Sequence, residues 1–263
     1  MGAGGLVELL GFDIGGTKCA VMLAEVCGDK IDFICKKKLK TDNNEPALSV
    51  IDKFCEIIDE MISNVKIDAI GISCGGPLDS KKGVIMNPPN LPGWDNVEIV
   101  RVLEERYGVR AYLQNDADAC AIAEWRFGAG RGTQNMIFMT FGTGFGAGLI
   151  LGGRLYSGTN GNAGEVGHIR LSSFGPVGYG KAGSFEGFCS GGGMAQLGKA
   201  LAEESLAQGG VLPDKTEDIT AKLLAEQARL GDPVANEVFK ISGEKLGSAL
   251  SVLIDILNLE AIV

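Results

Sequence analysis

Histidine is almost missing from this chain of 263 residues, where His168 stands alone, and the seven cysteines lie far apart with no C-x-x-C pair. An odd set of scattered thiols offers no disulfide framework and no zinc clip, and it fits a reducing, cytoplasmic compartment. Basic charge is scarce as well: 24 Lys and Arg face 33 Asp and Glu, a formal net charge of -9. A chain of that sign repels a phosphate backbone, whose binding rests on clustered cations, so no nucleic-acid partner is expected. The one basic run, Lys36-Lys37-Lys38, reads as a solvated strand end. The first ten residues lack the basic start and long apolar stretch of a signal peptide. Only residues 132–153 are uncharged over a membrane-spanning length, and Gly142, Gly144, Gly146 and Gly148 interrupt them. That much glycine weakens a helix and suits two strands about a tight turn, so no membrane partner is expected either.

What is present is ordinary globular material, 45% hydrophobic and 22% charged, enough to bury the core of one large domain or two smaller ones. Apolar, β-branched runs at residues 6–14, 19–26 and 31–39 are separated by Gly15-Gly16 and Gly28-Asp29. Links that short make antiparallel hairpins, because a parallel crossover needs a dozen residues or more. Helical spacing of apolar residues follows over 45–63, then a buried strand at 67–73, a helix at 97–107, a strand at 110–114 and a helix at 116–125. The order βββαβα(β) predicts an α/β domain with a mixed sheet. Strands at 136–141 and 146–151 then repeat the theme about a glycine turn, which implies a second, related three-stranded unit. Helices are expected at 194–208, 216–229 and 233–257, the last with Asp232 as cap and Pro233 in its first turn. Residues 259–263 open a buried strand, and the expectation is that the natural protein continues beyond Val263.

Two glycine turns carry candidate chemistry. Asp13-Ile14-Gly15-Gly16-Thr17-Lys18 ends a strand in a carboxylate and turns on two glycines. Its backbone N–H groups can approach phosphate oxygens, Thr17 adds a hydroxyl, and Asp13 can hold a magnesium ion directly or through water. With Thr before Lys it is not a Walker A loop. Residues 140–146, with Thr140, Gly142, Thr143 and Gly144, have the same grammar. A structural hairpin explains one such turn, whereas two at matching places suggest a phosphate held between domains.

In order and spacing, the runs DIGGTK at 13–18, GISCGGPLD at 71–79, NPPNLPGW at 87–94, NDADACA at 115–121 and GEVGH at 164–168 resemble the ROK family, within the sugar kinase, actin and heat-shock ATPase superfamily. The resemblance covers essentially the whole chain. It implies two ribonuclease-H-like (actin-like ATPase) domains, residues 1–118 and 119–263, each a mixed sheet flanked by helices with a cleft between, the second truncated at its C-terminal end. Its activity would be ATP-dependent phosphorylation of a hexose, glucokinase-like and at the 6-hydroxyl, with magnesium, in a homodimer or higher homo-oligomer.

By the same resemblance, Asp116 is the catalytic base and Asn115 contacts the sugar, although Asp116 also suits a helix cap. Gly75, Gly76, Asn90, Glu165, His168 and Glu186 would line the sugar site, with Asn90 equally readable as a turn residue and Trp94 as packing. Nucleotide contacts would come from Asp13, Gly15, Gly16, Thr17, Lys18, Thr140, Gly142, Thr143 and Gly144, with magnesium at Asp13. A lone histidine is commonly structural, and only the Glu-x-Gly-His context assigns His168 to the sugar. One departure stands out: many members carry C-x-C-G-x-x-G-C-x-E after this histidine and bind zinc there, whereas Val177, Tyr179 and Ser184 fill the cysteine places here. Valine cannot ligate zinc, so no structural zinc is expected.

Two other readings remain. Repressors of the family carry a helix-turn-helix before the first glycine turn, and twelve residues precede Asp13 here, too few for that module. A sugar-binding protein without catalysis is the other, since the family's adenosine-binding glycine segment would follow Val263.

Overall fold

The computed structural model of the protein describes residues 5–42, 44–63, 65–207 and 218–263. The chain forms two compact units, Met1–Gly132 with Ser157–Gly161, and Thr133–Tyr156 with Asn162–Val263.

The first unit opens with strands β1 (Val7–Ile14), β2 (Lys18–Cys27) and β3 (Lys30–Lys40), followed by helix α1 (Ala47–Met61) and strand β4 (Ala69–Cys74). A small antiparallel pair, β5 (Leu78–Asp79) and β6 (Val84–Ile85), precedes α2 (Ile99–Tyr107), β7 (Arg110–Asn115) and α3 (Asp116–Phe127). The main sheet runs β3-β2-β1-β4-β7. Its first three strands pair antiparallel as the short glycine links require, and β4 and β7 join parallel to β1. This is the mixed sheet of the ribonuclease-H-like fold. Alternation along β1 buries Leu10, Phe12 and Ile14, which leaves Asp13 on the opposite face. Under the sheet, α1 buries Val50, Ile51, Phe54, Cys55 and Ile58, the one-sided stripe that its spacing predicts. Phe12 meets Phe54 edge to face at 4.6 Å, each burial contributing about 1.5–3 kcal/mol. Trp94 is 2% exposed within the same core, which makes it a packing residue.

The expected boundary after residue 118 falls inside α3. In the structure this helix stays with the first unit, because it grows directly out of β7. Residues 157–161 return to it: the Ser157 hydroxyl donates to Asp118 Oδ2 at 3.3 Å.

The second unit contains β8 (Met136–Phe141) and β9 (Phe145–Ile150), then β10 (Val177–Gly178), β11 (Lys181–Ala182), and helices α4 (Phe185–Cys189), α5 (Gly191–Ala207), α6 (Ala221–Arg229) and α7 (Pro233–Leu257), ending in β12 (Ala261–Ile262). Asp232 caps α7 by accepting the Ala235 N–H at 2.7 Å. The uncharged stretch is the β8–β9 hairpin, as its glycines imply. A third antiparallel strand after β9, implied by repetition of the first unit's theme, shrinks to one bridge between Ile150 and Leu155. Gly152 and Gly153 turn the chain there at positive φ, and the Gly- and Asn-rich residues 157–164 have little strand propensity. The third place in the sheet goes to β12, parallel to β8. Gln208 and Thr216, the expected inner ends of two helices, lie outside the described residues. Among the described residues, no helix is long and apolar enough to cross a membrane.

Candidate active site

In the first unit, three parallel strands end level. Ile14 is paired with Cys74 and Cys74 with Asn115, so the Gly15-Gly16 turn, Gly75-Gly76 and the Asn115-Asp116 junction all leave the carboxyl edge of one sheet. Ligands of open α/β sheets gather at that edge. A Cβ added to Gly75 would stand 4.0 Å from Asp116 Oδ2, and one on Gly76 would stand 3.6 Å from Asn115 Nδ2. A Cβ on Gly16 would strike the Asn90 carbonyl and lie 2.7 Å from Asn90 Cβ, so only glycine lets the turn close on residues 87–94. Asn90 belongs to a tight turn, with the Leu91 N–H on the Pro88 carbonyl at 2.9 Å, and its side chain is exposed.

The cap of α3 is Asn115, not Asp116. The Ala117 N–H is shared by Asn115 Oδ1 at 3.0 Å and Asp116 Oδ1 at 2.8 Å. Asp116 remains exposed, held by one carboxylate oxygen. Asp13 is also open to solvent on one side. Partial burial nevertheless raises its carboxyl above the usual range; Asp116 adds to the rise, while Lys36 and Lys18 oppose it. The two carboxylates therefore sense each other across the edge. Burial, with Asp116, Cys19 and Asp13 adding, pushes the Cys74 thiol up to about 12, which keeps it neutral and out of nucleophilic chemistry.

Sequence reasoning missed the residue that secures the first turn. Thr41, 7% exposed, donates its hydroxyl to the Gly15 carbonyl at 2.6 Å and its N–H to the Thr17 carbonyl at 3.1 Å. Nothing in the local pattern marks it, because β3 brings it to the turn from 24 residues beyond Thr17.

In the second unit, the exposed Gly142-Thr143-Gly144 turn joins β8 to β9, with Thr140 opposite Gly146. The first N–H groups of α5 hold it, Gly191 on the Gly142 carbonyl at 2.8 Å and Gly192 on the Thr143 carbonyl at 3.0 Å. Glu186 Oε2 accepts the Phe145 N–H at 3.0 Å. Close packing of Gly144, Gly167 and Gly178 around Glu186 joins the turn to the Glu-x-Gly-His segment. There, His168 Nε2 lies 3.5 Å from Glu165 Oε2, and the imidazole stacks on Tyr179 with centroids 4.6 Å apart and planes 19° apart.

The donor set beside His168 does not suit zinc. Val177 offers no ligand atom and Tyr179 presents its ring face. The Ser184 hydroxyl caps α4 on the Gly187 N–H at 3.0 Å. Asp13 does suit magnesium: it is a hard oxygen donor beside the Gly15-Gly16 turn, and that ion commonly takes one or two carboxylates, with water and substrate oxygens completing its shell.

The fold and the paired glycine turns define a protein of the ribonuclease-H-like, actin-like ATPase class. The sequence model of the ROK family matches residues 9–263, and the chain belongs to that family. A glucokinase from Thermotoga maritima is 31% identical over 261 residues, 98% of this chain and 81% of that protein. The crystal structure of a ROK family glucokinase from Streptomyces griseus in complex with glucose and AMPPNP is 32% identical, with a TM-score of 0.73 over 98% of this chain and 82% of that one. A putative xylose repressor from a Caldicellulosiruptor species is 27% identical over 261 residues, 97% of this chain and 64% of that protein.

Proposed function

We propose that the protein is an ATP-dependent hexose kinase that phosphorylates a glucose-like sugar at its 6-hydroxyl. The observation that carries this reading is the exposed Asp116 carboxylate, anchored through one oxygen and bordered by Gly75 at the level carboxyl edge of β1, β4 and β7. Phosphoryl transfer asks a protein for alignment, charge stabilisation and a proton acceptor. Asp116 Oδ2 takes the hydroxyl proton as the sugar oxygen bonds to the γ-phosphorus and the bond to the ADP oxygen breaks. Asn115, Asn90, Glu165, His168 and Glu186 supply the mixed donors and acceptors that fix sugar hydroxyls. Gly75 and Gly76 leave the sugar room to approach. The turn at Gly15, Gly16, Thr17 and Lys18, and the one at Thr140, Gly142, Thr143 and Gly144, contact the nucleotide phosphates. Magnesium, held by Asp13, would offset charge on those phosphates.

Similarity to a putative xylose repressor favours a second reading, a sugar-responsive regulator. An ADP-release assay over a panel of hexoses separates the two. The kinase reading expects turnover of at least one hexose, lowered roughly two to four orders of magnitude in Asp116→Asn with sugar affinity kept. Sugar binding without any turnover, or a mutant within about threefold of the parent, overturns it.

A further inference from the structure

The segment that, by the family resemblance, holds zinc in many members has Val177, Tyr179 and Ser184 in the cysteine places and is built here as a hairpin brace. Strands β10 and β11 pair Val177 with Ala182 and Gly178 with Lys181, leaving Tyr179 and Gly180 as a two-residue turn. Both have positive φ, 46° and 72°. Such turns favour Asn and Gly, so a tyrosine in the left-handed region points to a task for its ring.

The hairpin is tied on several sides. Gln196 accepts the Val177 N–H and donates to the Val177 carbonyl, both at 3.0 Å. Lys181 Nζ donates to the His168 carbonyl at 2.9 Å. A Cβ at Gly178 would lie 2.6 Å from the Gly187 nitrogen and 2.7 Å from Glu186 Cβ, so the hairpin also rests on the start of α4. From this base Tyr179, itself 77% exposed, lays its ring over the imidazole. His168 is therefore gripped at its carbonyl and over one ring face, with Nε2 beside Glu165.

We propose that Tyr179 is a positioning residue for sugar recognition: its ring fixes the plane of the His168 imidazole. The proposal rests on the reading of His168 as a sugar ligand. It makes sugar affinity depend on an aromatic ring and not on a metal.

Tyr179→Asn is the suitable probe, because asparagine tolerates this backbone while removing the ring. The lone histidine gives a second readout, since its ring proton signals are those of His168 alone. The parent should show these signals shifted by the tyrosine ring current. Tyr179→Asn should remove that shift and raise the sugar KM about tenfold, the scale of one aromatic stack, while kcat and the ATP KM move less than about twofold. Tyr179→Phe should restore both signal and KM, and chelator treatment followed by return of magnesium should leave the sugar KM unchanged. Signals identical in parent and Tyr179→Asn overturn the proposal, as does a lost shift with an unaltered sugar KM, or a sugar KM that stays altered after chelation and return of magnesium. A parent that binds none of the hexoses instead refutes the functional reading on which the proposal rests, and the proposal falls with it.

Discussion

The two glycine turns share one sequence grammar and are held by different means. The first is secured by a neighbouring strand end: Thr41 clamps the Gly15 and Thr17 carbonyls, and Asn90 closes directly on Gly16. The second is secured by a helix start, with Gly191 and Gly192 on its carbonyls and Glu186 at its exit. A Cβ added at its own Gly142 would meet nothing within 4 Å. Like motifs need not be equally sensitive, because backbone conformation is local whereas support comes from wherever the fold places it.

Alanine at matched glycines gives the largest expected contrast. Gly16→Ala should cost roughly 1–3 kcal/mol, since its Cβ meets backbone that cannot yield cheaply; Gly142→Ala, in open space, should stay within about 0.5 kcal/mol. Thermal melting and the ATP KM measure both, and equal losses would erase the distinction. Smaller is Thr41→Val, which leaves the Gly15 carbonyl short of a donor and should cost about 1–2 kcal/mol, with Thr41→Ser recovering most of it. A loss of the same size in Thr41→Ser would move the role from the hydroxyl to the methyl.

The smallest effect on stability tests charge. The Asp13 carboxyl is raised above its ordinary 3.8 by burial first, with Asp116 adding, so the folded state holds its proton more tightly than the unfolded one. Stability from that proton is present below the unfolded value and is lost as pH rises through the folded one. Asp13→Asn should therefore melt slightly higher than the parent at pH 7, with the gap closing below about pH 4, while losing magnesium-dependent turnover and keeping sugar affinity. A lower melting point at pH 7 would mean that Asp13 supports the fold.

Much of this was legible in sequence where the signal is short-range. Gly15-Gly16 and Gly28-Asp29 fixed two hairpins, helical spacing fixed α1, and Asp232-Pro233 fixed the start of α7. The level edge that assembles Asp13, Gly75 and Asp116 was not legible in local pattern: only the family resemblance grouped these residues, and the parallel register of β1, β4 and β7 shows how they meet. Thr41 was invisible because its role depends on the β3 end meeting a distant turn. The β10–β11 hairpin and α4 escaped because two-residue strands and a five-residue helix carry no periodicity. Asp116 was readable as a cap, but the cap position is Asn115, since both side chains suit it and only geometry divides the Ala117 N–H between them. The missing third strand after β9 shows the reverse error, a repeated motif taken for a repeated sheet.

That shared N–H has a stereochemical consequence. With Oδ1 of Asp116 tethered to the first turn of α3, Oδ2 is the oxygen that faces Gly75, 4.0 Å from where a methyl would sit. On the proposed kinase reading, a base so fixed is one-sided: it offers its lone pair along a single approach, and an acceptor must bring one particular hydroxyl to that side. On that reading, which position of a polyol reacts is set partly by a missing side chain, and enlarging residue 75 is expected to redirect regiochemistry before it abolishes proton transfer.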